Sequence, residues 1–293
     1  MIETKRTIAF TGGGTAGHVF PAFPVIARLR DRDIDVFWIG SSDGMERRLV
    51  EEAGIRYVGV PSGKLRRYFS LKNFTDLFRI IAGFFAARRI LKNERPQVLM
   101  SKGGFVSVPP AAAAKTLGIP CLTHESDVDP GLATRLNLKL GARPLLAYRR
   151  TLDDLSKGQK LTAEVVGNPV RDELLSGRRI EGRRLAGLAD DDGRPLLLVL
   201  GGSQGAREIN DLVGGCLDRL LKTCAVVHQT GPGNPAQSDR SGYMTRPFFK
   251  EELPHLLAAA DLAVARSGAG SVWELAATRT PATSEAAAVA LSL

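Results

Sequence analysis

Short apolar runs alternate with longer segments of helical periodicity along most of the chain. In the first half these runs predict five buried strands: Thr7–Phe10, Val36–Ile39, Tyr57–Val60, Val98–Ser101 and Cys121–Thr123. In the second half they predict three more: Pro195–Leu200, Ala225–His228 and Leu262–Ala265. Repeated βα units form parallel sheets with helices on both faces. We therefore expect an α/β protein made of two doubly wound, Rossmann-like domains that face each other across a cleft.

The two series of strands are separated by a polar stretch. Asp172–Arg194 is charged and carries no strand signal, so we expect an N-terminal domain over residues 1–164 and a C-terminal domain over residues 165–293. The second series has only three or four strands, and Thr280–Leu293 is rich in Ala, Ser and Thr without a clear strand. The second domain is therefore expected to be unusually small or incomplete.

Composition narrows the class of protein. The chain has 293 residues, of which 44% are hydrophobic and 24% charged, which excludes a disordered chain and a membrane bundle. Its three cysteines form no CxxC pair, which is typical of a reducing compartment and argues against disulfides or a zinc site. No signal-peptide core follows Met1, and the longest apolar stretch, Ile80–Ala87, is far too short to span a membrane. We expect a cytoplasmic protein with no membrane-embedded segment.

The positive charge is concentrated in one segment. The net charge is +9, and residues 64–92 hold eight basic residues against the single acidic residue Asp76. A basic balance favours an anionic partner: nucleic acid, anionic lipid or a phosphorylated small molecule. Apolar residues also recur there at helical spacing: Phe74, Leu77, Phe78, Ile81 and Phe85. They predict either a core helix or a helix that docks on a lipid surface.

A glycine-rich loop, Thr11–His18, follows the first strand. Its GxGxxG spacing is typical of a dinucleotide-binding site. Such sites also carry an acidic residue at the end of the second strand. In this chain, Gly40-Ser41-Ser42 follows Ile39 at that position, with no acidic residue. A tight turn without a ligand is the alternative. His18 is a candidate general base near neutral pH, or a capping and packing residue.

Two further loops follow strands of the first domain. Ser101–Ser107 comes after the fourth strand and His124–Asp127 after the fifth. Loops at the carboxyl ends of parallel strands form the ligand crevice. We therefore expect Gly14, His18, Gly103 and Glu125 to lie at one edge of the sheet.

The second domain repeats this arrangement. Leu200–Arg207 and Arg266–Glu274 are both glycine-containing strand–loop–helix segments, which suit a diphosphate. Glu274 is expected in the first turn of its helix, where it either accepts hydrogen bonds from ribose hydroxyls or only interacts with the helix dipole. Asp190-Asp191-Asp192 is interpreted as a solvated linker rather than a metal site.

Taken together, these motifs resemble the MurG family, bacterial N-acetylglucosaminyltransferases that make lipid II for peptidoglycan. The matches run in family order from residue 7 to about residue 277: Gly12–Ala22, Ser101–Ser107, His124–Asp127, Gly167–Arg171, Gly201–Ala206 and Arg266–Ala269. As a set they are far more specific than any one motif. Ala16-Gly17-His18 departs slightly from the Gly-Gly-His of many members, and Asp127 stands where many have Asn.

The resemblance implies a GT-B fold, with lipid I bound by the N-terminal domain and UDP-GlcNAc by the C-terminal domain. It places His18, with Glu125 as second choice, at the general base, and it requires neither metal nor cofactor. The UDP-GlcNAc contacts that it implies are Thr15, Ala16, Gly17, Asp127, Arg171, Ser203, Phe249, Ala269, Gly270, Ser271, Val272 and Glu274.

The resemblance also gives the basic segment a role. A substrate anchored in the cytoplasmic leaflet favours a peripheral enzyme at the cytoplasmic face of the membrane, docked on anionic lipid through residues 64–92. Nucleic acid is not expected, because no fold signature accompanies the charge. The resemblance fades near Thr280–Ala282, so we expect a C-terminally truncated chain that is unstable or poorly active.

Three alternatives remain open from the sequence. A Rossmann oxidoreductase would carry one glycine fingerprint rather than two glycine-loop domains. A UDP-GlcNAc epimerase of related fold would need no lipid acceptor, which leaves the basic segment unexplained. An inactive binding protein is the third alternative.

Overall fold

The computed structural model describes residues 6–63, 72–189, 191–202, 205–234 and 240–284. The chain divides into two compact units, Met1–Pro169 and Val170–Leu293. This division falls slightly after the expected boundary at residue 164, because residues 164–165 form a strand of the first sheet.

The first unit is built around a parallel sheet of seven strands in the order β3-β2-β1-β4-β5-β6-β7. Its strands are β1 (Thr7–Thr11), β2 (Asp35–Ser41), β3 (Arg56–Val60), β4 (Val98–Ser101), β5 (Cys121–Glu125), β6 (Arg143–Leu146) and β7 (Glu164–Val165). Its α-helices are α1 (Phe23–Arg30), α2 (Glu46–Glu52), α3 (Lys72–Glu94), α4 (Val108–Leu117), α5 (Leu132–Lys139) and α6 (Lys157–Thr162).

The second unit holds a smaller parallel sheet of five strands in the order β10-β9-β8-β11-β12. Its strands are β8 (Leu196–Leu200), β9 (Ala225–Gln229), β10 (Tyr243–Arg246), β11 (Leu262–Ala265) and β12 (Ala282–Ser284). Its α-helices are α7 (Arg179–Leu185), α8 (Arg207–Leu220), α9 (Leu253–Ala259) and α10 (Ala269–Ala277).

Both sheets are covered on their two faces, which explains why the central strands are apolar throughout. In the first sheet, Phe37 and Ile39 of β2 face one buried cluster while Trp38 faces the other. In the second sheet, Leu198 of β8 faces one cluster and Val199 the other. A strand buried on both sides has no polar face, and this pattern made the predicted strands recognisable.

All eight predicted strands are present, and four more were not predicted. The expectation that Thr280–Leu293 contains no clear strand was wrong, because β12 pairs with β11 in parallel register. β6, β7, β10 and β12 lie at or next to sheet edges, and they are short. Edge strands are buried less completely, so their sequences lack a continuous apolar run.

The strand orders locate a topological switch point in each sheet. The chain moves outward from β1 through β2 to β3 and then returns to place β4 on the other side of β1. β8 and β11 have the same relation in the second sheet. In open α/β sheets, ligands bind at the carboxyl ends of the strands at such a point.

Candidate active site

In the first unit, the loops after β1 and β4 interlock at the switch point. Gly104 has a φ of +76°, and a Cβ there would lie 2.1 Å from the carbonyl oxygen of Gly13. Gly14 has a φ of +87°, and its Cβ would meet the Phe105 ring at 2.7 Å. The Lys102 amide also donates to the carbonyl of Thr11 over 2.8 Å. The glycines therefore allow two backbone loops to pack directly on each other.

A buried carboxylate, which the sequence analysis did not single out, holds the first glycine loop. Glu46 opens α2 and is fully buried; its Oε2 accepts from the Gly14 amide at 3.2 Å and its Oε1 from the Ser41 amide at 2.9 Å. The Trp38 indole donates to the carbonyl of Gly12 over 3.1 Å. The Gly14 amide is thus used by the protein's own carboxylate, and the negative charge beneath this loop disfavours a phosphate there. The loop does not have the geometry of a dinucleotide site.

His18 ends a short 3₁₀ turn, Ala16–His18, that follows the glycine loop. Its Nδ1 lies 2.9 Å from the Thr15 hydroxyl, and its ring lies against Gly103. Burial lowers the pKa of His18, while the charges of Glu125 and Asp127 act to raise that pKa. The imidazole is therefore neutral at pH 7 and able to accept a proton.

Glu125, at the end of β5, is buried and orders the loop that follows it. Its Oε1 accepts from the Asp127 amide at 3.1 Å, and its Oε2 accepts from the Gly131 amide at 3.0 Å. Both carboxylate oxygens thus accept hydrogen bonds from the backbone, and Gly131 is the N-cap of α5. The Asp127 side chain is exposed on this loop.

Lys102 and His124 form a second buried pair in this unit. The Lys102 ammonium nitrogen lies 2.6 Å from His124 Nδ1, and His124 Nε2 lies 2.9 Å from the carbonyl of Gly167. Burial lowers the pKa of Lys102 to about 7 and that of His124 to about 3. Sequence analysis named the motif around Lys102 but gave this side chain no role.

In the second unit, the loops after β8 and β11 lie at the corresponding switch point. Ser203, which the resemblance places at the donor, lies outside the described residues. The predicted contacts Ala269, Gly270, Ser271 and Val272 form the first turn of α10, whose N-cap is Gly268. No side chain caps this helix start, so its backbone amides suit an anion such as a diphosphate.

Glu274 lies in the second turn of α10, not the first as expected, because the helix begins at Ala269. Its Oε1 accepts hydrogen bonds from Arg171 Nε at 3.1 Å and Nη2 at 2.9 Å. Interaction with the helix dipole alone therefore does not account for its position. Two residues that the resemblance assigns to the donor are thus hydrogen-bonded to each other.

Phe249 is fully buried in the apolar cluster on one face of the second sheet. Its amide donates to Gln229 Oε1 over 3.0 Å, and Gln229 Nε2 donates to the carbonyl of Gly202 over 3.1 Å. The Phe249 ring is therefore part of the core of the second unit.

The helix α3 carries the described part of the basic segment. Leu77, Phe78, Ile81 and Phe85 are exposed on this helix, Phe85 by 63%, whereas Ala87 and Leu91, nearer its C-terminus, are buried. Arg79, Arg88, Arg89 and Lys92 are also exposed. Lys64, Arg66 and Arg67, together with the side chains of Lys72 and Phe74, lie outside the described residues. No helix in the described ranges is long and apolar enough to cross a membrane.

Asp192, in the acidic run at residues 190–192, pairs with a nearby arginine, Arg194. Asp192 accepts hydrogen bonds from Arg194, which holds the pKa of this carboxyl at about 2. Asp190 lies outside the described residues. Across the part of the chain that the structure describes, no group of three His, Cys, Asp or Glu side chains is placed to hold a metal ion.

Comparison with known proteins covers both units. Residues 8–143 match the glycosyltransferase family 28 N-terminal domain, and residues 196–283 match the family 28 C-terminal domain. Among solved structures, MurG of Acinetobacter baumannii aligns with a TM-score of 0.69 and 25% identity, over 93% of this chain and 76% of that chain. The UDP-GlcNAc 2-epimerase of Methanocaldococcus jannaschii aligns with a TM-score of 0.63 at 15% identity, over 96% and 83% of the two chains. At that identity the epimerase shares the fold alone.

Curated relatives are more similar in sequence. A protein of Shouchella clausii, named UDP-N-acetylglucosamine–N-acetylmuramyl-(pentapeptide) pyrophosphoryl-undecaprenol N-acetylglucosamine transferase, is 47% identical over 94% of this chain and 77% of its own length. A Clostridium kluyveri protein with the same name is 43% identical over the same shares. Together with the two family 28 domains and the GT-B fold, this similarity shows that the chain belongs to the MurG family of glycosyltransferases.

Proposed function

We propose that this protein transfers N-acetylglucosamine from UDP-GlcNAc to the 4-hydroxyl of the N-acetylmuramyl group of lipid I, which yields lipid II. The observation that carries the proposal is the similarity to curated relatives that bear the name of this activity, at 47% and 43% identity. The half-buried, neutral His18 at the carboxyl edge of the first sheet supplies a group that suits the chemistry.

His18 acts as the general base in this proposal. The acceptor hydroxyl attacks the anomeric carbon opposite the UDP, the bond from that carbon to the diphosphate oxygen breaks, and the configuration inverts. His18 takes the hydroxyl proton. In the tautomer in which Nδ1 donates to the Thr15 hydroxyl, the Nε2 lone pair is available for this transfer.

Glu125 is the weaker choice for the base. Both of its oxygens already accept hydrogen bonds from backbone amides, and proton transfer to either one would break such a bond. Its position favours a role in ordering the loop that carries Asp127.

The second unit binds the donor in this proposal. The open amides at the start of α10 meet the diphosphate and stabilise the charge that develops on UDP. Arg171 holds Glu274 so that the carboxylate accepts hydrogen bonds from the ribose hydroxyls. Thr15, Ala16, Gly17, Asp127, Ser203 and the Phe249 backbone are further proposed donor contacts.

The enzyme docks on the cytoplasmic face of the membrane through residues 64–92. Support comes from the exposed apolar stripe Leu77, Phe78, Ile81 and Phe85, with exposed arginines on the same helix. Aromatic and aliphatic side chains enter the headgroup region while basic residues attract anionic lipid.

The proposal is tested with radiolabelled UDP-GlcNAc and a lipid I analogue. The wild type should form a labelled disaccharide product, and His18→Ala should lose about 10²–10⁴-fold in turnover while UDP still raises its melting temperature. Conversion of UDP-GlcNAc without a lipid acceptor would instead identify an epimerase, and a rise in melting temperature with NADH rather than UDP would indicate an oxidoreductase.

A further inference from the structure

Lys102 is a buried cationic side chain that the proposed chemistry leaves without a role. It directly follows β4 and is only 2% exposed. Its backbone joins the ends of β4 and β1, and the next residue, Gly103, lies against the His18 ring. Lysine is almost never fully buried unless it is paired, so its position needs a physical account.

The side-chain contact of Lys102 is a histidine rather than a carboxylate. Because His124 Nε2 faces the carbonyl of Gly167, that nitrogen carries the proton, and His124 Nδ1 accepts a hydrogen bond from Lys102. Among the residues that the structure describes, no carboxylate lies within 4 Å of the Lys102 nitrogen. The burial that lowers the pKa of Lys102 to about 7 is opposed by the more distant charge of Glu125.

The same charges act on His18. Burial is the main cause of the lowered pKa of His18; Glu125 and Asp127 favour the imidazolium, as does a hydrogen bond with the Gly13 backbone, and Lys102 opposes it. Lys102 is the cation in this set. Without it, burial alone would oppose the two carboxylates, and the pKa of His18 would be higher.

We propose that Lys102 is a positioning residue for His18: its buried positive charge adds to the effect of burial in keeping the imidazole unprotonated beside two carboxylates, and its hydrogen bond to His124 fixes the loop after β5. The assignment deepens the proposed function, since it rests on His18 as the general base. It differs from a purely structural role, in which Lys102 would stabilise the fold without altering the titration of His18.

The test is an NMR titration of the His18 ring in the full chain, with Lys102→Met and Lys102→Gln variants. Met preserves the length of the side chain without its charge, and Gln can still donate to His124. Both variants should shift the His18 midpoint to higher pH. The control is Lys115→Met, which removes an exposed lysine from α4 and should leave the midpoint unchanged.

A His18 midpoint that stays in place or falls in the folded variants would overturn the proposal. Failure of both variants to fold would also overturn it, because Lys102 would then be assigned to stability alone. In both Lys102 variants, the acidic limb of the kcat/KM profile should shift to higher pH together with the NMR midpoint of His18. The NMR titration does not depend on catalytic turnover. If the His18 midpoint shifts in the variants but the wild type transfers no GlcNAc, the transferase proposal is rejected while the effect of Lys102 on the protonation of His18 is retained.

Discussion

His18, Lys102 and Glu125 lie at or beyond the carboxyl ends of three different strands of the first sheet, and their charges act on one another. Burial disfavours charge on the histidine and the lysine. Glu125, in contrast, is held as an acceptor by two backbone amides. Lys102 is buried against His124, whereas His18 is partly exposed, so the histidine is the better placed proton acceptor.

The pH dependence of the reaction should report His18. Its pKa lies below 6.5, so the neutral imidazole predominates at pH 7 and becomes protonated as the pH falls through that lowered value. We expect kcat/KM to be level near pH 7 and to decline on the acidic side below 6.5. A steady-state pH profile measures this, and an acidic limb that persists unchanged in the residual activity of His18→Ala would contradict the assignment.

Glu274→Gln tests the donor site. Replacing the carboxylate weakens the hydrogen bonds to ribose and the contact with Arg171, so KM for UDP-GlcNAc should rise about tenfold, or roughly 1.4 kcal/mol. Glu208→Gln, at the exposed start of α8, is the matched control and should leave KM unchanged. Equal KM values for the two variants would remove Glu274 from the donor site.

Single residues differ in how far the sequence predicts them. His18 and Glu125 could be selected because each follows a predicted strand within a motif. Glu46 could not, since it stands in a charged run with Arg47, Arg48, Glu51 and Glu52 that is typical of a solvated helix. Its burial comes from β2 and the glycine loop closing around it, which is a tertiary effect. The sequence contains one indication of Glu46: it is an acidic residue shortly after the second predicted strand. It lies slightly later in the chain than the acidic residue that binds ribose in a dinucleotide site.

At the scale of elements, the two interlocked glycine loops determine where His18 lies. Central strands were predictable because burial on both faces leaves an apolar run, as in β2 and β8. Edge strands such as β7 and β12 were not, because their residues are exposed or small. The contact between the loops could not be predicted either, since glycine spacing does not specify which backbone a loop approaches.

Gly104→Ala tests this contact. The substitution combines a positive φ with a Cβ that would lie 2.1 Å from a backbone oxygen, so we expect a loss of about 3 kcal/mol in stability. Gly118→Ala is the control: its φ is +68° but nothing lies within 4 Å of the added Cβ, so it should cost only about 1 kcal/mol. Thermal denaturation compares the two, and similar melting temperatures would show that the loops can separate freely.

Membrane binding through the exposed apolar stripe of α3 can be tested by substitution. The double variant Ile81→Ser/Phe85→Ser removes two exposed apolar side chains of α3. Full burial of such a side chain contributes up to about 1.5–3 kcal/mol. Binding of the variant to vesicles rich in phosphatidylglycerol should therefore be weaker by at least about tenfold. Leu161→Ser, which changes an exposed apolar residue on α6, is the control. Sedimentation with vesicles measures the effect, and unchanged binding by the double variant would exclude the stripe from membrane docking.

At the scale of the whole molecule, the same βα plan is used twice, with paired loops at a switch point in each unit. The first unit holds the candidate base in a region that disfavours a phosphate at Gly14, and the second holds an uncapped helix start that favours one. This difference supports our proposal that the first unit activates the acceptor and the second binds the donor. The alternation of elements predicted the plan; the contrast between the two glycine loops required the structure, because it depends on the buried Glu46.

Sugar transfer by this protein should require both substrates. The most direct measurement follows UDP and disaccharide product together, with UDP-GlcNAc alone and with UDP-GlcNAc plus a lipid I analogue. We predict one UDP released per disaccharide formed when the acceptor is present, and almost none in its absence. Conversion of UDP-GlcNAc at the same rate without the acceptor, or no product with it, would contradict the account.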